Sequence, residues 1–391
     1  MKKVAFFSEI MIEDFDGAAR TMFQLINRID KNTHTYFFIY GRGPSQFRNF
    51  QSLRVPTLRM PINEDYCFAI PQLAKSKLDQ ALDAFAPDVI HIATPSLLGF
   101  YALNYAKRKK IPVISIYHTH FIAYIAYYLR HFNPLIKPTQ NWMQGAMQRF
   151  YNQCQQVLVP TQGIMKELQQ LGIEGDRLAL WQRGIDSRLF HPDKRNPDYI
   201  RGISQNDKPN ILFASRLVWE KNISTLIAIY KLLEHEGMPY NLIIAGDGAA
   251  KGDAMQQMPQ AIFMGKLNHQ ELASLYASAD AFVFTSTSET YGNVVIEAMA
   301  SGLPCVIANG GGSACLVEHG QTGFKCTPNN AKEYLHFLKK VLSQASLREE
   351  LISAGLAYVK PLDWGRLAQT YFAQVDSLSE ASQPAFVWAA S

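Results

Sequence analysis

Short runs of β-branched and aromatic residues alternate with helix-patterned segments along the chain, and the alternation breaks once and then restarts. The first series is KVAFFSE at 3–9, TYFFIYG at 35–41, DVIHIAT at 88–94, PVISIYH at 112–118, QVLVPT at 156–161 and LALWQ at 178–182. The second is NILFASR at 210–216, NLIIAGDG at 241–248, AIFMGK at 261–266, AFVFTS at 281–286 and PCVIANG at 304–310. Strands that alternate with helices form parallel sheets covered on both faces. The pattern therefore predicts an α/β protein with two doubly wound, Rossmann-like domains, one over 1–190 and one over 210–361. The stretch between them, 191–209, is polar and carries Pro192 and Pro197, with Pro209 at its end, and reads as a linker. KPLDWGRLAQTYFAQVDSL, near the end, predicts one more helix over 362–380, and the final dozen residues read as frayed.

Composition narrows the function. Of 391 residues, 48% are hydrophobic and 18% charged, which is the make-up of a folded globular protein. A formal charge of +5 suits phosphate-bearing ligands or an anionic membrane surface and is too weak to argue for nucleic acid. The 5 cysteines are odd in number and include no CxxC pair, so neither a zinc site nor a disulfide framework is expected, and a reduced cytoplasm fits. The opening, MKKVAFFSEIMIEDFDG, meets acidic residues too early for a signal peptide. FIAYIAYYL at 121–129 is too short for a membrane span.

Folds of this kind bind ligands at the carboxyl ends of their strands, so the residues there are the candidates, and the cleft between the domains is the expected site. In SETYGNVVIEAMASG, at 288–302, a helix starts near Gly292 or Asn293, and its free N–H groups form an anion site. Glu289 precedes that start, and Glu297 lies about one turn into an otherwise apolar helix. A carboxylate there is costly without a partner. It accepts from the two hydroxyls of a ribose, answers a nearby cation, or is exposed at a helix edge. Arg216 and Lys221, in ILFASRLVWEKN, can neutralise a diphosphate, or they are surface cations with Lys221 paired to Glu220. The glycine loop in ANGGGSACLVEHGQTGF either admits a ligand closely or needs positive φ. IIAGDG fails as a dinucleotide fingerprint because Lys251 stands where the last glycine belongs.

In the first domain, Gly17 permits close approach, and Arg20 lies in the first turn of the following helix. His118 and His120 end another strand, where a lone histidine is more often structural. Asp14 and Asp16 spell a DxD, which is discounted as a manganese site because no further ligand cluster accompanies it. KRKK at 107–110 reads as a helix end whose cations oppose the dipole, in preference to a membrane patch.

Taken in order, ASRLVWEKN, GDG, MGKL, SADAFVFTSTSETYGNVVIEAMASGLPCV and GGGSACLVEHGQTGF resemble the family 4 retaining glycosyltransferases, which have a GT-B fold. The spacing of Glu289 and Glu297 is the most specific element. DGAARTM, YHTHF and RGIDSRLFHP resemble the branch that holds GDP-mannose-dependent α-mannosyltransferases and sulfolipid synthases. Two departures stand out: the first loop has a single glycine, and the acidic residue of the GGxxE element is displaced to Glu318.

The resemblance implies roles. Arg216 and Lys221 would hold the donor diphosphate, and Glu297 the ribose. Glu289 with the backbone of Thr290, Tyr291, Gly292 and Asn293 would grip sugar and phosphate. Gly265 and Lys266 would contact the base, His118 would lie beside the reacting face of the sugar, and Gly17 would admit phosphate with Arg20 as helper. The last helix would cross back onto the first domain. The expected reaction is metal-independent transfer of a hexose, of mannose or glucose type, from a nucleoside-diphosphate sugar to a glycan or lipid-linked acceptor, with no cofactor. Domain closure would exclude water. The expected location is the cytoplasm or the inner face of a membrane, and 121–138 reads as a buried helix followed by a loop in preference to a peripheral membrane contact. A sugar-nucleotide 2-epimerase and a non-catalytic nucleotide-sugar binding protein are the alternatives; a dehydrogenase is poorly supported.

Overall fold

The computed structural model describes residues 1–13, 15–59, 67–118 and 133–381. The chain divides into two compact units, Met1–Gln182 joined by the segment from Gly365 onward, and Arg183–Trp364. Asp14, His120, residues 121–132 of the apolar stretch and the last ten residues lie outside the described residues.

The sheet of the first unit is built from β1 (Lys2–Ile10), β2 (His34–Arg42), β3 (Gln51–Arg54), β6 (Val89–Ile92), β7 (Val113–Ile116), β8 (Gln156–Val159) and β9 (Leu178–Leu180), with β4 (Thr57–Arg59) and β5 (Cys67–Ala69) forming a separate antiparallel pair. Its order is β3-β2-β1-β6-β7-β8-β9, and every neighbour pair is parallel. Helices α1 (Gly17–Ile26), α2 (Lys75–Phe85), α3 (Leu97–Lys109), α4 (Asn133–Tyr151) and α5 (Gln162–Gln170) make the crossovers. KRKK ends α3 as expected. Lys107, Arg108 and Lys109 occupy its last turn, and Arg108 and Lys109 pair with Asp79 and Asp83 of α2 at 2.9 and 2.8 Å.

The second unit holds α6 (Pro197–Ser204), β10 (Asn210–Ala214), α7 (Ile223–His235), β11 (Asn241–Ala245), α8 (Lys251–Gln257), β12 (Ile262–Gly265), α9 (His269–Ser278), β13 (Ala281–Phe284), α10 (Asn293–Ala300), β14 (Cys305–Ala308), β15 (Gly323–Cys326), α11 (Ala331–Ser343) and α12 (Ala345–Val359). Its sheet runs β12-β11-β10-β13-β14-β15, again parallel throughout. The central strands are wholly buried because helices cover both faces, which is why they read as unbroken apolar runs.

The stretch 191–209 is not a linker. Pro192 opens a 3₁₀ turn and Pro197 opens α6, the position where a missing N–H costs nothing. Ile200 of α6 joins the core of the second unit, and Tyr199 and Ile203 pack against it. The chain passes between units at Gln182–Arg183, ahead of the expected boundary at 190.

The last helix, α13 (Trp364–Ala381), belongs to the first unit from Gly365 on. The Trp181 indole donates to the carbonyl of Leu367 at 2.9 Å, the Tyr371 hydroxyl meets His91 Nδ1 at 2.8 Å, and Asp376 meets His34 Nε2 at 3.0 Å. His91 is fully buried and stacks on Phe6 at 4.1 Å. Burial holds its imidazole neutral, with the pKa pushed down to about 3. Among the described residues no helix is long and apolar enough to cross a membrane.

Candidate active site

A parallel sheet sends every strand's carboxyl end to one edge, so residues far apart in sequence gather there. At that edge of the second sheet, β10 leads into Arg216 and a 3₁₀ turn, Trp219–Lys221, and β13 leads into the polar loop that carries Glu289. The loop is laced to the turn: Thr285 Oγ1 donates to the carbonyl of Lys221, and Ser288 Oγ to that of Glu220, both at 3.0 Å. Lys221 Nζ then donates to Glu289 Oε1 at 2.6 Å, with the side chains only 7% and 20% exposed. Lys221 thus answers Glu289, a partner the sequence did not name.

Burial pushes the Glu289 pKa up. The Lys221 charge and hydrogen bond, a bond from Ser286 and the nearby Arg216 charge together outweigh it, so the carboxyl sits below its ordinary range. The group is an anion held in place by cations. Arg216 itself is exposed, its guanidinium available to a solute.

Beyond Glu289, α10 begins at Asn293. Its N-cap is Gly292, at φ +101°, with no side-chain cap, so the first N–H groups of the helix are unclaimed by a capping side chain. The glycine loop 310–312 packs onto this segment. The Gly312 N–H donates to the Glu289 carbonyl, 2.6 Å away, and a Cβ on Gly312 would lie 2.0 Å from the Thr290 carbonyl. These glycines serve backbone packing. The same holds for GDG at 246–248, where a Cβ on Gly246 would fall 1.8 Å from the Ser215 carbonyl and one on Gly248 2.4 Å from that of Leu217. The broken fingerprint is therefore a brace for the turn that carries Arg216.

Glu297 is 7% exposed, and the hydroxyl of buried Tyr276 donates to its Oε2 at 3.3 Å. A phenol on α9 is thus one answer to the carboxylate inside an apolar helix. Gly265, at φ +68°, ends the outer strand β12 and accepts from the Gly246 N–H at 2.8 Å; Lys266 beyond it is exposed.

The first unit carries the remaining candidates at the carboxyl edge of its own sheet. Gly17 opens α1, and Asp16 caps that helix by accepting from the Ala19 N–H at 2.8 Å, a structural duty for this half of the DxD. Arg20 is half-buried, and its Nε has no hydrogen-bond partner among the described residues. His118 lies two residues past β7 and is 7% exposed. In the second unit, Glu318 is exposed and accepts from Gln321 Nε2 at 2.8 Å.

The sequence reading missed Arg183, which is 5% exposed and reaches Thr290 and Tyr291. It also missed Tyr276 and Ser286, the hydroxyls that serve the two glutamates. An arginine beside a glycine at a strand end, in QRGID, was the available signal.

Two family models match the chain in tandem: Glycosyltransferase Family 4 over residues 15–189, and Glycosyl transferases group 1 over 198–357. The chain is 29% identical over 388 residues to a GDP-mannose-dependent alpha-mannosyltransferase of Corynebacterium glutamicum, spanning 97% of this chain and 90% of that one. It is 34% identical over 289 residues to a sulfoquinovosyl transferase of Arabidopsis thaliana, spanning 72% of this chain and 54% of that one. The fold matches the crystal structure of Anabaena HepE in complex with UDP and glucose, with a TM-score of 0.73 at 19% identity over 96% of this chain and 100% of that chain. It also matches a sucrose-phosphate synthase from Thermosynechococcus elongatus, with a TM-score of 0.76 at 18% identity over 97% of this chain and 100% of that chain. At such identities these likenesses speak for the fold alone. With two Rossmann-like units and both models matched in sequence, the chain belongs to the family 4 glycosyltransferases of GT-B fold and is a transferase of sugars from nucleotide donors.

Proposed function

We propose that the protein is a retaining hexosyltransferase that takes mannose or glucose from a nucleoside-diphosphate sugar, without a metal, and hands it to a glycan or lipid-linked acceptor. The observation that carries the reading is the buried Lys221–Glu289 pair at 2.6 Å, set beside Arg216 and the uncapped start of α10. As the anomeric bond breaks, negative charge grows on the leaving diphosphate. Arg216, Lys221 and the helix N–H groups stabilise that charge more in the transition state than before it. Glu289 orients Lys221 and, with the 290–293 backbone, grips the sugar; Glu297 holds the ribose. Gly265 and Lys266 meet the base. In the first unit, Gly17 and Arg20 address phosphate and His118 the reacting sugar. Retention by a front-face route fits a pocket in which the conspicuous carboxylate is already engaged by a lysine.

The near full-length likeness to a GDP-mannose-dependent enzyme favours GDP-mannose as donor. The +5 charge suits a lipid-linked acceptor met at the inner face of a membrane. The test is a screen of GDP-, UDP- and ADP-sugars for thermal stabilisation, followed by turnover with and without acceptor in the presence of a chelator. Stabilisation by one donor and acceptor-dependent release of its nucleotide, with an α-linked product from an α-linked donor, is expected. Consumption of donor alone would mark a 2-epimerase, a β-linked product would overturn retention, and activity lost to the chelator would overturn metal independence.

A further inference from the structure

The N-terminus of α10 has no side chain of its own to fix it. Its N-cap is glycine, the residue with the widest backbone freedom, at φ +101°. The position of its N–H groups is therefore set by what holds the preceding residues. Arg183 holds two of them. Its Nη2 donates to Thr290 Oγ1 at 3.4 Å, its guanidinium lies over the Tyr291 ring at 5.7 Å, and its backbone carbonyl accepts from the Tyr291 hydroxyl at 3.0 Å.

Arg183 stands on a segment that is itself anchored. The Ile185 N–H donates to the Leu362 carbonyl at 2.8 Å, Ile185 bridges Asp363 in parallel, and a Cβ on Gly184 would come within 2.6 Å of the Trp364 indole. Residues 183–185 and 362–364 are where the chain enters and leaves the second unit. An apolar residue could fill the same volume without the cost of desolvating a cation. What a guanidinium adds is direction, because its rigid fork can serve a hydroxyl and an aromatic face together.

We infer that Arg183 is a positioning residue that fixes the Thr290–Tyr291 segment, and through Gly292 the start of α10, to the paired segments at which the chain enters and leaves the second unit. The inference rests on the reading of that helix start as part of the donor site. It makes Arg183 act through the loop, without touching the donor.

The test compares wild type, R183M, R183K, T290V and R183M/T290V by donor kcat/KM and by amide exchange in the ligand-free protein. R183M should lower kcat/KM by about 10- to 100-fold, the effect of a reacting group displaced by a fraction of an ångström to an ångström. R183K should recover only part of the loss, since a point charge cannot make the fork. T290V should add no further loss in the R183M background, because the two changes break one contact. Amides at 291–296 should exchange about tenfold faster in R183M while those of β10 and β11 keep their protection. A kcat/KM within about twofold of wild type, or losses that multiply in the double variant, would overturn the inference. If R183M does not fold, R183K with R183K/T290V supplies the same cycle. If wild type turns over no nucleotide sugar, the functional reading fails, and amide exchange alone then decides the role of Arg183, with unchanged protection at 291–296 sinking it.

Discussion

Lys221→Met keeps the apolar stem of the lysine and removes its ammonium group, and with it the charge and the hydrogen bond to Glu289. The variant leaves Glu289, with a side chain 20% exposed, to the Ser286 hydroxyl and the Arg216 charge. Breaking one side of a buried pair costs about 3–5 kcal/mol. The residual exposure and the two remaining partners place this case at the lower end, about 3 kcal/mol at pH 8. Burial, the largest influence on this carboxyl, then goes unopposed by the lysine and lifts its pKa above the unfolded value of 4.5. A carboxyl whose folded pKa is raised binds its proton more tightly in the native state. The deficit therefore deepens as pH rises from about 4.5 toward the folded pKa, by about 1.4 kcal/mol per unit. Adding Glu289→Gln removes the stranded charge and should return about 2 kcal/mol at pH 8. Urea unfolding of wild type and both variants at pH 5 and pH 8, read by pulse proteolysis, measures all of this. A Lys221→Met deficit equal at the two pH values, or no recovery in the double variant, would refute the account of the pair. Turnover gives a second reading, since stability recovered in the double variant should leave kcat about 10²-fold or more below wild type.

In the first unit, His91 is held neutral with its pKa near 3 against an ordinary 6.5, so it takes up a proton only on unfolding. Stability is then full above pH 6.5 and falls by about 1.4 kcal/mol per unit as pH drops below it toward 3. His91→Phe should flatten that slope in urea melts at pH 7.5 and 5.0, and an unchanged slope would exclude His91 as its source. Gly312→Ala brings a Cβ to 2.0 Å from the Thr290 carbonyl, so it should cost about 2 kcal/mol or more and reduce donor binding; a normal melting temperature would contradict the packing described. Glu297→Gln keeps an acceptor for the Tyr276 hydroxyl and loses the charge, so donor KM should rise about tenfold with kcat nearly unchanged, and an unaltered KM would remove Glu297 from the donor site.

The long parallel strands were legible because burial on both faces writes them as apolar runs. The placing of Arg216, Lys221 and Glu289 at the carboxyl ends of strands follows from that; the order of the strands in each sheet does not. β3, β4, β5 and β15 were not legible; QSLR, TLR and GFKC mix polar with apolar residues and so lack the unbroken run that marks equally short strands such as β13 and β14. The prolines at 192 and 197 misled because proline marks helix starts as readily as linkers. Partners were the least legible of all. Nothing local says that Lys221 reaches Glu289, 68 positions away, or that Tyr276 reaches Glu297, because such pairs are set by strand order. The role of GDG emerges only when the Ser215 and Leu217 carbonyls are seen against it. Arg183 stayed hidden because a strand-end arginine ordinarily points to solvent.

The split of the first unit across both ends of the chain has a consequence for biosynthesis. The second unit is one uninterrupted stretch, whereas His91 waits for Tyr371, 280 positions later. On the ribosome the leading unit emerges first and finishes last. Until the closing helix is translated, the flank that carries Trp181, His34 and His91 stays uncovered, so a nascent chain stalled or truncated before residue 364 presents that aromatic seam to chaperones and proteases.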